Sequence, residues 1–218
     1  MKALLFDLDG TLVNSLEDIR RALNHVLKMC YASEIDSSQC MSVVGHGLRK
    51  ALRDALWFSR AAYPEDEFEI LYRELMDYYS AHACDYSRPY DGVTAFLERA
   101  KGRGCFLGVL SNKSDELVKK ITGQLFPASI FDFVRGLREG EKPKPDNNGV
   151  LDYAKLCNVS LDDVTMIGDS DVDYLTARNA GVKSIIVSYG FRSEAELRAA
   201  GISPVVHDLE EVEKLLWN

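Results

Sequence analysis

The chain has 218 residues, 46% of them hydrophobic, and a formal net charge of −8. This length and apolar share fit an ordered globular protein with one sizeable core and room for a smaller attached domain, and they exclude a disordered chain. The acidic balance argues against nucleic acid as a partner, because two polyanions repel, and an anionic substrate would need a local cation, a lysine or helix N-termini.

An apolar run, Ala3–Phe6, opens the chain and is stopped by Asp7. It is too short for the core of a signal peptide, and no apolar run approaches the roughly 18 residues of a membrane span. The expectation is a cytoplasmic protein with no membrane partner. Helical periodicity follows without interruption by strands, over Ser15–Met29, roughly Ser37–Val44, Gly47–Phe58 and Glu67–Ala83. Ser15 with Asp18 makes an approximate capping box for the first of these.

From Val93 onward the pattern alternates. Helices are predicted over Val93–Arg103, Ser114–Gln124, Asn148–Cys157, Asp171–Ala180 and Leu209–Leu216, with Gly181 where a C-cap glycine belongs. Between them lie short apolar runs at Phe106–Leu110, Phe133–Arg135, Thr165–Ile167 and Ser184–Val187, and a weaker one at Pro204–Val206. Such alternation indicates an α/β fold, a Rossmann-like parallel sheet covered on both faces. The helical stretch after the first run is too long for a crossover and reads as an inserted α-helical cap. The predicted organisation is a core of residues 1–15 and 86–218 and a cap of residues 16–85. The cysteines, Cys30, Cys40, Cys84, Cys105 and Cys157, are odd in number and form no C-x-x-C pair, so they read as reduced, mostly buried thiols.

Ligands of a parallel α/β sheet bind at the carboxyl ends of its strands. The residues found there are Asp7, Asp9, Gly10 and Thr11 after the first run, and Ser111, Asn112 and Lys113 after the second. Glu141 through Asp146 follow the third, and Gly168, Asp169, Ser170, Asp171 and Asp173 the fourth. Each piece has a plain structural alternative: Asp9-Gly10 as a turn, Ser111-Asn112 as a helix N-cap, Lys142 as a solvated lysine, the aspartates from Asp169 as an acidic first helical turn. Together they bring carboxylates, a hydroxyl, an amide and a lysine to one sheet edge. Asp7, ending an apolar strand, is a costly place for an unpaired charge. An aspartate can attack phosphorus and form an acyl phosphate that water hydrolyses. Because carboxylates repel phosphate, a cation is required; magnesium suits oxygen donors, with Asp7 and Asp169 as its ligands. Lys142, Ser111 and Asn112 would hold the equatorial oxygens of the transferring group.

These segments resemble the four motifs of the haloacid dehalogenase superfamily. Phe6-Asp7-Leu8-Asp9-Gly10-Thr11-Leu12-Val13 is similar to the first, Leu110-Ser111-Asn112-Lys113 to the second, Lys142-Pro143-Lys144-Pro145 to the third, and Gly168-Asp169-Ser170 with Asp173 to the fourth. Arg88-Pro89-Tyr90-Asp91-Gly92-Val93 and Ser188-Tyr189-Gly190-Phe191-Arg192-Ser193 look closest to its phosphoglycolate phosphatases. The resemblance implies a Mg2+-dependent phosphatase of a small phosphorylated metabolite, monomeric or homodimeric. In it Asp7 is the nucleophile and a metal ligand, and Asp9 the general acid, with its backbone carbonyl on the metal. Asp169 is the third protein ligand, and Ser111 and Lys142 hold phosphate with Asn112. Asp173 orients Lys142 or a metal-bound water, and Thr11 and Gly168 support the site. The helical insertion is the mobile cap. Its loop Gly45-His46-Gly47 puts forward His46 and Arg49 as substrate contacts, against the plain reading of a helix-joining loop. The chain departs from many relatives in carrying Asn14 where they have Asp, beside the cap hinge.

The same core would also serve a β-phosphoglucomutase-like phosphohexomutase or a pyrophosphatase. Gly10-Thr11, in place of glycine followed by valine, leans toward phosphatase. Asp9 disfavours a dehalogenase. A receiver-type phosphoacceptor domain also uses aspartate and lysine, but is shorter and lacks the helical insertion.

Overall fold

The computed structural model describes residues 1–217. The chain forms two compact units, one of Met1–Asn14 with Pro89–Asn218 and one of Ser15–Arg88.

The larger unit is built on a six-stranded parallel sheet. Its strands are β1 (Ala3–Phe6), β4 (Phe106–Ser114), β5 (Phe133–Leu137), β6 (Val164–Gly168), β7 (Lys183–Val187) and β8 (Val205–Val206), in the order β5-β4-β1-β6-β7-β8. Two further strands, β2 (Val13–Asn14) and β3 (Arg88–Pro89), are two residues long and lie where the chain passes from one unit to the other. Every residue of β1 is buried, as a central strand covered on both faces requires. Ala3 and Leu5 pack with Val150, Tyr153 and Ala154 of α7 (Asn148–Cys157) and with Ala177 and Ala180 of α8 (Asp171–Ala180). Phe6 turns to the opposite face and meets Phe96 of α5 (Val93–Gly102) edge-on at 6.1 Å; Phe96 in turn faces Trp217 of α10 (Leu209–Trp217). Helix α6 (Asp115–Leu125) follows β4, and α9 (Glu194–Ala199) follows β7.

The short strands β2 and β3 are absent from the sequence reading, and two further features differ from it. Strand β4 does not stop at Leu110 but continues through the polar residues to Ser114, because Ser114 pairs with Leu137 of β5 after a register shift. Helix α9 was not anticipated, although Ser193 and Glu196 form a reciprocal capping box there.

The helical unit contains α1 (Leu16–Met29), α2 (Ser37–Val43), α3 (Leu48–Phe58) and α4 (Phe68–His82). The capping box expected of Ser15 and Asp18 is absent: Ser15 makes no side-chain cap bond. The buried Asp18 carboxylate instead accepts from the Tyr86 and Ser87 backbone N–H groups and the Ser87 hydroxyl, at 2.7–3.1 Å. These donors satisfy a buried charge better than one helix-end amide could. They also tie Tyr86 and Ser87 to the helical unit, so the return boundary falls at Pro89 rather than before Tyr86.

Candidate active site

Chain connections leave β1 toward β4 and β5 on one side and toward β6, β7 and β8 on the other. This is the switch point where the carboxyl ends of parallel strands open a crevice. Phe6 is level with Val109 of β4 and Ile167 of β6, so Asp7, Ser111 and Asp169 leave neighbouring strand ends together. The Asp7 backbone N–H extends the ladder by donating to the Ile167 carbonyl at 2.9 Å.

The anionic centre consists of Asp7, Asp169 and Asp173, which offer carboxylate oxygens within 4.8 Å of one another. Asp173 is wholly buried; its Oδ2 accepts from the Ser170 N–H and hydroxyl, capping α8, and its Oδ1 accepts from Lys144 Nζ at 2.7 Å. Asp169 is held by the Phe191 N–H at 2.7 Å and the buried Thr11 hydroxyl at 3.3 Å. A Cβ on Gly168 would lie 2.3 Å from Asp173, which is why glycine ends β6. A Cβ on Gly10, whose φ of +84° also favours glycine, would lie 2.3 Å from Asp169 Oδ2. Burial pushes the Asp7 carboxyl up to about 7; Lys144 opposes this, while Asp173 and Asp9 add to it. Asp169 is raised well above the usual carboxylate range by burial and by its neighbours Asp173 and Asp7.

The lysine at this centre is Lys144, not Lys142. Lys144 Nζ, its side chain 4% exposed, lies 2.8 Å from Asp7 Oδ1 and 2.7 Å from Asp173 Oδ1. Lys142 is exposed and lines an adjoining cleft with Arg135, Glu141 and Asp152. The cause is Asn112, whose amide accepts from the Lys144 N–H at 2.7 Å and donates to the Lys144 carbonyl at 3.1 Å. That pair of hydrogen bonds fixes the loop with Lys144 inward. These bonds use one of the two Asn112 amide hydrogens, so the side chain keeps a second donor. Ser111 is buried, its hydroxyl accepting from the Lys113 N–H at 3.3 Å.

Asp9 stands at the edge of the centre and accepts on Oδ1 from Lys113 Nζ at 2.7 Å. The sequence places Lys113 at this strand end with Ser111 and Asn112 but gives it no role; its partner Asp9 is not legible there. Tyr189 was likewise missed; its hydroxyl donates to the Thr11 carbonyl at 3.1 Å. In the helical unit His46 is exposed, and Arg49 gives both terminal amino groups to Glu69 with its guanidinium 4.2 Å over the Tyr72 ring.

The donor set fits a small hard cation. All three carboxylates supply oxygen, and Asp7 Oδ1 is buried with no aligned hydrogen bond despite its ion-pair contact with Lys144. One ammonium does not neutralise three clustered carboxylates.

Residues 4–187 match the haloacid dehalogenase-like hydrolase family. The chain is 31% identical over 211 residues to a phosphoglycolate phosphatase of Caulobacter vibrioides, covering 97% of this chain and 89% of the relative. It is also 31% identical to one of Aquifex aeolicus over 88% of this chain and 86% of that one. A provisionally assigned phosphoglycolate phosphatase structure from Lactobacillus delbrueckii subsp. bulgaricus superposes with a TM-score of 0.93 at 27% identity, over 99% of this chain and 98% of the other. With carboxylates, hydroxyl and lysine assembled at the switch point of this fold, the chain belongs to the haloacid dehalogenase-like hydrolases, in their phosphoglycolate phosphatase-like branch.

Proposed function

We propose that this enzyme is a magnesium-dependent phosphatase acting on a small phosphate monoester of the phosphoglycolate type, through a phosphoryl group carried on Asp7. The carrying observation is the Asp7 carboxylate, at the end of β1, in a buried centre with Lys144 and Asp169. An Asp7 oxygen attacks phosphorus as the bond from phosphorus to the alcohol oxygen breaks. Asp9 gives that departing oxygen its proton, then takes one from the water that attacks the phosphorus of the acyl phosphate. Inorganic phosphate leaves and Asp7 is restored. Lys144 and the Ser111 hydroxyl stabilise the equatorial oxygens, and Asp173 holds the Lys144 ammonium in place. Asp7, Asp169 and the Asp9 backbone carbonyl would hold magnesium, which supplies the positive charge that lets an anionic substrate approach clustered carboxylates.

Rapid acid quench followed by borohydride reduction tests this reading. Reduction of an aspartyl phosphate leaves homoserine at position 7, read by peptide mass. The modification is expected with phosphoglycolate and magnesium and is expected to vanish in Asp7→Asn. Homoserine at another aspartate, or substrate turnover with no trapped acyl phosphate, would refute Asp7 as nucleophile.

A further inference from the structure

We infer that Lys113 is a positioning residue for Asp9, clamping the acid–base carboxylate from the end of β4; this rests on the role proposed above for Asp9. The Lys113 side chain is 2% exposed and that of Asp9 18%, and Nζ meets Oδ1 at 2.7 Å across 104 positions of sequence. A buried ammonium without a partner is costly, so the pair is strongly held once β1 and β4 are side by side. Lys113 can face inward because β4 runs on to Ser114, where a register shift carries it past the last apolar residue. Gly136 of β5 permits that path: a Cβ there would lie 2.5 Å from the Lys113 carbonyl oxygen.

The consequence falls on Asp9. Asp7 and Asp169 have their own supports in Lys144, Thr11 and Phe191, none of which is Lys113. Asp9 follows Asp7 by two residues on a turn, and Lys113 Nζ fixes its carboxylate at a set place above the strand ends. A proton donor must sit within hydrogen-bond reach of the leaving oxygen, and a misplacement of about 1 Å costs about 10²-fold. Lys113 therefore matters most where the leaving group cannot depart without a proton.

The test is a mutant cycle read on two substrates. Phosphoglycolate releases an alkoxide that needs protonation; 4-nitrophenyl phosphate releases a phenolate that does not. Lys113→Met is expected to lower kcat on phosphoglycolate by about tenfold to 10²-fold, with KM little changed and the aryl substrate much less affected. Lys113→Arg is expected to recover part of the loss. In the Asp9→Asn background, Lys113→Met is expected to add no further loss, since residues acting through one group are not additive. Equal losses of Lys113→Met on both substrates, or a full extra loss on top of Asp9→Asn, would overturn the positioning role while leaving Asp9 as the acid. An Asp9→Asn variant with unimpaired phosphoglycolate turnover would instead remove the acid–base reading, and the Lys113 role with it. A melting curve for Lys113→Met keeps a folding defect separate from these outcomes.

Discussion

Lys144 Nζ sits 2.8 Å from Asp7 Oδ1, joining the loop after β5 to the end of the central strand. Two residues earlier, Lys142 projects into solvent from the same loop. The pair makes a sharp comparison. Lys144→Met is expected to lower kcat by about 10²–10³-fold, as for loss of one buried donor to developing charge. Lys142→Met is expected to stay within a few-fold of the parent. Steady-state kinetics on one phosphate monoester with saturating magnesium decides it, and comparable losses in the two variants would return the role to Lys142.

That lysine also marks where the sequence stops being legible. Because each signal is local, apolar runs and helical periodicity located the six strands of the main sheet and all but one of the α-helices, though not the two-residue strands β2 and β3. The strand ends likewise named Asp7, Ser111 and Asp169. The choice between Lys142 and Lys144 depends on the Asn112 amide clasping the Lys144 peptide, a contact across 32 positions that no local pattern records. Lys113 reaching Asp9 is hidden for the same reason. Asp18 failed differently: its spacing from Ser15 suited a capping box, but tertiary donors at Tyr86 and Ser87 took the carboxylate. The capping box of α9 is legible in Ser193 and Glu196, but the helix spans only six residues, too short for a helical period to show.

The raised carboxyls give a pH prediction for the metal-free protein. Asp7 is pushed up to about 7, chiefly by burial, and Asp169 is raised as well. Between the ordinary carboxylate range and the raised folded value, the unfolded chain binds fewer protons than the folded one. Stability from these groups therefore falls as pH rises through that window. With chelator present, Asp7→Asn is expected to raise Tm by a few degrees at pH 8 and to give little gain at pH 5, since about 1 kcal/mol corresponds to about 2–4 °C at this chain length. Thermal melts at both pH values check it; a lower Tm at pH 8 would contradict the burial argument.

Magnesium should reverse that penalty. Adding it to the parent at pH 8 is expected to raise Tm in a concentration-dependent way, as for any ligand of the folded state. The gain is expected to shrink in Asp169→Asn. Phosphate release is expected to stop with chelator and return with magnesium. A parent Tm indifferent to magnesium, together with undiminished turnover in chelator, would exclude the metal role.

Gly190 tests the support of Asp169 without replacing a polar side chain. A Cβ at this position would lie 2.2 Å from the Gly10 carbonyl oxygen and 2.5 Å from Asp169 Oδ2. Gly190 does not have a positive φ, so alanine there meets a steric conflict rather than backbone strain. Gly190→Ala is expected to cost about 10²-fold in kcat through displacement of Asp169 and to raise the magnesium concentration needed for half-maximal activity. Gly181→Ala, where nothing lies within 4 Å, is the control: it is expected to lose some stability, because its φ of +71° disfavours a side chain, while keeping its magnesium requirement. A Gly190→Ala enzyme with a parental magnesium response would show that the 189–191 loop gives way without moving Asp169.

The helical unit offers the last comparison, between His46 and Arg49. Arg49 donates at 2.6 and 3.0 Å to the two oxygens of Glu69 and stacks over Tyr72, so its fork already has a carboxylate. His46 stands exposed between Gly45 and Gly47, both at positive φ. Of the two residues that the family resemblance puts forward for substrate selection, His46 is the one the helical unit leaves uncommitted to a neighbouring carboxylate. His46→Ala is expected to lower kcat/KM for phosphoglycolate by about tenfold or more and to spare an aryl phosphate, a loss in line with about 1.5–3 kcal/mol for a hydrogen bond to a charged group. Arg49→Ala is expected to act on stability instead, and only slightly because its ion pair is solvent-exposed, and to show no added effect in a Glu69→Ala background. A selective loss on phosphoglycolate in Arg49→Ala, with none in His46→Ala, would mean that Arg49 exchanges Glu69 for the substrate carboxylate during turnover.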